Sequence, residues 1–143
     1  MSRALLTALF LFAASSFSLA QTAKPEPLRI DANPEKGFSY PYYLFVPAEL
    51  RDPSVAKTTH TILVLPNNTG KLDDALEFHE ADVKKRMAQV PTIANLLKVA
   101  VIMPVFPRPS TDWKIYTHAL DRDAMVTDKK EYVRFDLQLI AMI

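Results

Sequence analysis

The sequence predicts an α/β fold, and three observations carry that prediction. Two short continuous apolar runs, Thr61-Ile62-Leu63-Val64-Leu65 and Val99-Ala100-Val101-Ile102-Met103, each stop at a proline and read as strands buried on both faces. Between them Leu72, Leu76, Val83, Met87 and Val90 recur at helical intervals on one face. The chain of 143 residues is 49% hydrophobic and 23% charged, which suits one globular domain with a core of its own. Strand, helix, strand in this order makes a parallel crossover the default topology.

The first twenty residues read as a targeting segment. Arg3 precedes an apolar run over residues 4–14, and Ser18-Leu19-Ala20 places small residues where a signal peptidase needs them. The run is shorter than the roughly 20 apolar residues of a membrane-spanning helix. A signal peptide over residues 1–20, cleaved after Ala20, predicts a secreted or periplasmic protein with no membrane attachment afterwards. Removal of Arg3 with it leaves 16 basic and 16 acidic side chains.

Residues 21–37 hold Pro25, Pro27 and Pro34 among charged groups without apolar periodicity, and predict an extended, loosely held lead-in to a domain over residues 38–143. Residues 39–46 are rich in aromatic and β-branched side chains and predict a strand ended by Pro47. Pro41 within it lacks a ladder donor, which predicts an edge position or a strand starting just after it. Residues 48–59 read as surface loop and residues 66–70 as an Asn- and Gly-containing turn. Val90-Pro91 is expected to break or kink the first helix, and residues 92–98 to restart as a short one with Ile93, Leu96 and Leu97 inward. A last helix over residues 129–143, with Thr127 or Asp128 as N-cap, ends on an apolar run without Gly or a basic last turn. That ending, and a sheet of one edge strand plus two parallel strands, predict an incomplete architecture, the front part of a larger sheet.

Several chemistries are excluded at this level. Cysteine is absent, so thiol nucleophiles, disulfides and Cys-ligated zinc are impossible. Glycine occurs only at Gly37 and Gly70, which removes glycine-cradled phosphate loops. Near-neutral charge argues against a nucleic-acid partner, and Lys84-Lys85-Arg86 reads as a solvated helix face. His79-Glu80 opens like a zincin helix, but Val83 stands where the second histidine is needed. His79 with Asp82 reads as a surface polar pair, Asp73-Asp74 as helix-start charges, and Asp121 with Asp123 as a turn. No cofactor or metal is expected. Asn67-Asn68-Thr69 matches a glycosylation sequon.

The loop over residues 66–70 follows the carboxyl end of a buried strand and precedes a helix, where backbone N–H groups can face a ligand or a developing oxyanion. An Asn-rich turn chosen for its backbone conformation remains the plainer alternative.

Taken with their order, Tyr42-Tyr43-Leu44-Phe45-Val46-Pro47, Ile62-Leu63-Val64-Leu65-Pro66-Asn67-Asn68-Thr69-Gly70 and Val101-Ile102-Met103-Pro104-Val105-Phe106-Pro107-Arg108-Pro109 resemble the opening of an α/β-hydrolase, nearest to secreted esterases and polyester-depolymerase-like members. The resemblance implies a carboxylic-ester substrate, small or polymeric. In that family the loop after the third strand supplies an oxyanion N–H, which falls here on Pro66-Asn67-Asn68 and makes Asn67 or Asn68 the candidate donor. The family's nucleophile stands on a Gly-x-Ser-x-Gly elbow, and no Gly follows Gly70. The resemblance therefore implies that nucleophile, acid and catalytic histidine are not in this chain, and that Trp113, Tyr116 and His118 line the entrance to the site. The contrasting expectation is a small complete exported domain binding a sugar or peptide on exposed Tyr40, Tyr42, Trp113 and Tyr116. A third is a mis-terminated product without activity.

Overall fold

The computed structural model describes residues 25–55, 61–65, 71–111 and 134–143. They form a mixed four-stranded sheet with three helices, an α/β arrangement. Strands β1 (Leu28–Ile30), β2 (Tyr42–Phe45), β3 (Ile62–Val64) and β4 (Ala100–Pro104) lie in the order β1-β2-β4-β3. β2 runs antiparallel to both β1 and β4, whereas β3 and β4 are parallel. Helices α1 (Leu76–Met87) and α2 (Val90–Leu97) fill the connection from β3 to β4, as the periodicity predicts. Helix α3 is Phe135–Met142.

Side chains alternate across the sheet and divide the core into two clusters. Tyr43, Phe45, Val101, Met103 and Val105 meet Val83, Met87, Val90 and Ala94 of α1 and α2. Tyr42, Ile102 and Phe106 turn the other way and meet Phe38 with Phe135 and Met142 of α3. Helices thus cover both faces, which is why the strand runs are apolar without alternation.

One expectation about the sheet is corrected, and its alternative, a strand starting just after Pro41, is met. β2 lies inside it and not at an edge, because β1 pairs with its free side. Pro41 is accommodated because the strand starts after it and its carbonyl accepts the Val105 N–H at 2.9 Å. β3 takes the outer position among the described residues, while β4 is the central parallel strand.

The lead-in is also held more firmly than its composition predicts. Leu28, Arg29 and Ile30 pair with Leu44, Tyr43 and Tyr42. Arg29 donates to both carboxylate oxygens of Glu80 on α1, at 2.5 and 3.3 Å, and the Tyr43 hydroxyl donates to the same group at 3.0 Å. The Arg29 bonds hold the Glu80 carboxyl below its usual range against an opposing desolvation cost. The described part of the lead-in, residues 25–37, therefore packs on the sheet.

A 3-10 turn at Pro34–Lys36 is capped by Asn33 and closed by Gly37 at φ 94°. A Cβ there would stand 3.2 Å from the Ala141 Cβ of α3, so both the turn and the helix contact call for glycine. Gln138 of α3 accepts the Ser39 N–H at 2.8 Å, and Phe135 stacks on Phe106 with ring centroids 4.4 Å apart.

The break at Val90-Pro91 separates α1 from α2. Pro91 sits in the first turn of α2, where a missing N–H costs no hydrogen bond. α2 ends at Lys98 in the left-handed region, φ 55°, a conformation that favours glycine. Lys98→Gly is expected to raise stability by about 0.5–1 kcal/mol, read by urea unfolding, even with loss of the exposed Lys98 to Glu49 ion pair. The predicted helix over 129–143 is present from Phe135, and its residues 129–133 and proposed caps lie outside the described residues.

Candidate functional site

The carboxyl ends of the parallel strands are where an open α/β sheet binds ligands, so the segments leaving β3 and β4 define the candidate site. The Leu65 N–H still bonds to the Ile102 carbonyl at 2.9 Å, which carries the parallel register one residue beyond β3. Beyond residues 66–70 the chain returns to this end of the sheet. There the Asp73 N–H donates to the Arg108 carbonyl at 2.9 Å, an isolated antiparallel bridge.

Two carboxylates reinforce that bridge in different ways. Asp73 Oδ1 accepts the Ala75 N–H at 2.8 Å and turns the chain into α1. Asp74 reaches across to Ser110: its Oδ1 accepts the backbone N–H at 2.8 Å and the hydroxyl at 3.0 Å, with Oδ2 3.2 Å from the same hydroxyl. Asp73 and Asp74 therefore do more than decorate a helix start; they fasten the two strand-end segments together.

His79 supplies the third fastening, and here the expectation of a surface pair with Asp82 is overturned. Its side chain is fully buried, and Nε2 lies 2.9 Å from the Asp73 carbonyl oxygen. Because a carbonyl only accepts, Nε2 carries the proton and donates. Asp82 instead pairs with Arg86, one turn along α1, at 2.6 Å. Lys84, Lys85 and Arg86 are exposed, as a solvated face requires.

The hydrogen bonds from Ser110, backbone first and hydroxyl second, hold the Asp74 carboxyl below its ordinary range. A depressed folded-state value means that the clasp is complete above the unfolded carboxylate's titration and is lost as pH falls through the lower, folded one. A carboxylate-carbon NMR titration should show Asp74 titrating below exposed aspartates, with the Ser110 amide shift following it. Ser110→Ala should move it only part of the way back, since the backbone donor remains.

Asn67 and Asn68, the oxyanion candidates, and Trp113, Tyr116 and His118, the entrance candidates, lie outside the described residues, as do residues 1–20, Asp121 and Asp123. The two other aromatics assigned to a ligand platform are packed inside. Tyr42 is buried edge-on to Phe38, and Tyr40 packs against Phe106 and Phe135. Among the described residues no three His, Asp or Glu side chains gather as a metal site requires, and no helix is long and apolar enough to cross a membrane.

Ser110 is the residue that sequence reasoning passed over, and His79 the one that it placed at the surface. The only signal for His79 was its place on the apolar face, one turn before Val83. Compared with family models, curated proteins and solved structures, the chain matches none.

Proposed function

We propose that the chain supplies the N-terminal part of an exported α/β-hydrolase that cleaves carboxylic esters by serine chemistry. Its contribution is the oxyanion-side loop after β3. The nucleophile, acid and histidine come from residues outside these 143, so the chain alone turns over no ester. The observation that carries this reading is the parallel pair β3 and β4, joined through helices, with the segments leaving their carboxyl ends fastened by the Asp73, Asp74 and His79 contacts. That arrangement braces the residues on either side of positions 66–70, Leu65 before them and Asp73 and Asp74 after them. Backbone N–H groups of such a connection stabilise an oxyanion only when their orientation is set in advance.

The outer position of β3 and the apolar outer faces of two helices agree with a sheet that continues. Ile93, Leu96 and Leu97 on α2, which the sequence placed inward, are instead more than half exposed, as are Leu137 and Ile140 on α3 and Ile143 just after it. An antiparallel start followed by parallel strands with helical crossovers also suits the hydrolase resemblance.

The test has two arms. The 143-residue chain should show no turnover of a chromogenic short-chain ester, and the reading frame beyond Ile143 should encode Gly-x-Ser-x-Gly within roughly 30 residues. Turnover by the chain alone, or no such motif, overturns the proposal. In the longer protein Asn67→Pro and Asn68→Pro each remove one N–H. The variant that deletes the oxyanion donor should lose about 10²–10³-fold in kcat with KM little changed.

A further inference from the structure

A cavity of about 300 Å³ opens between the segment entering β1 and the α1/α2 layer, and none of its lining residues takes part in the strand-end fastening. Its walls are apolar and stiff. Pro25 and Pro27 of the segment entering β1, Tyr43 of β2, and Met87 and Pro91 of the helical layer all line it. An enclosed void of only ~150 Å³ accommodates a benzene ring, so this one has room for a ring or branched chain carrying a polar head.

The charges around it are selective. Glu80, beside Tyr43, already receives two bonds from Arg29 and one from the Tyr43 hydroxyl, so its charge is compensated within the protein. Lys84, whose charge also acts on Glu80, and Glu26 are lining groups of opposite sign, both exposed at the rim. A ligand of single charge meets one favourable and one unfavourable partner. A ligand carrying both charges beside an apolar group satisfies both.

We propose that this cavity binds a free apolar α-amino acid. Its side chain lies between the prolines and Met87, its carboxylate at Lys84 and its ammonium at Glu26. The site is separate from the strand-end loops and independent of the ester-hydrolase reading.

An NMR titration of the isotope-labelled full chain with phenylalanine tests it. Expected are saturable amide shifts at Glu26, Met87 and Ala88, and weaker binding of 3-phenylpropionate and phenethylamine, which each lack one charge. Lys84→Met should weaken phenylalanine by about two- to fivefold and leave phenethylamine no weaker, while Glu26→Gln should weaken phenylalanine similarly and leave 3-phenylpropionate no weaker. Ala88→Trp, on an exposed position lining the cavity, should abolish the shifts while the circular-dichroism melt remains cooperative. Absence of saturable shifts up to the solubility limit, shifts centred elsewhere, or equal affinity for the single-charge analogues would overturn the proposal.

Discussion

Phe45→Ala is expected to lower the unfolding free energy by about 3–5 kcal/mol, the cost of deleting a buried ring whose surroundings cannot close over the space. Phe45 has no exposed surface and stands in the inner strand β2, opposite Val101 of β4. It belongs to the cluster that Val83, Met87 and Ala94 close from the helical layer. The strand cannot collapse inward, since its backbone is tied to β1 and β4 on both sides. A domain holds only about 5–15 kcal/mol in total, so the variant should be folded at low temperature and largely unfolded where the parent is not. Urea unfolding should show a lower midpoint with an unchanged slope. Phe45→Leu, which keeps most of the volume, should cost no more than about 1.5 kcal/mol. A loss below about 1 kcal/mol for Phe45→Ala would mean that the two-sided core is not organised around β2.

His79→Ala is the second large effect, with an expected loss of about 2–4 kcal/mol. Two costs combine: a cavity at a fully buried position, and an Asp73 carbonyl left without its 2.9 Å donor. His79→Leu separates them, because it restores most of the volume but not the hydrogen bond, and should retain about 1–3 kcal/mol of the loss. Hydrogen exchange gives the spatial readout. In both variants the Asp73 and Ser110 amides, which bond to the Arg108 carbonyl and the Asp74 carboxylate, should exchange faster, while those of β2 and β4 should follow global stability alone. If the Asp73 and Ser110 amides keep their protection, His79 is a core residue only and does not brace the strand-end segments.

The crossover was legible because it is a local signal. Two apolar runs with helical spacing between them report a helix-covered sheet, and β3, α1, α2 and β4 follow, although β3 is only half-buried. β1 left no such trace. Leu28–Ile30 spans three residues beside Pro25 and Pro27, and its partners are supplied from elsewhere, by β2 and by Glu80 on α1. The edge reading of β2 failed for a related reason: Pro41 reports a missing donor, but not whether the next strand residue has neighbours on both sides.

The candidate site divides in the same way. The position of a loop after a buried strand is written in the order of the residues, whereas Asp74 and Ser110 are separated by 36 positions and carry no joint pattern. His79 was read as solvent-facing because its polar ring suited a pair with Asp82, although its spacing to Val83 placed it on the buried face. Although Pro104, read as a stop, lies within β4, amino-acid order alone was enough for the α/β class, the helical connection and the exclusion of thiol and glycine-loop chemistry. These depend on side-chain type and short-range spacing. Strand order, the inner place of β2, the burial of His79 and the Asp74 to Ser110 clasp were settled by folding. Each depends on which distant segments share a surface, and that choice belongs to the packing of the whole core.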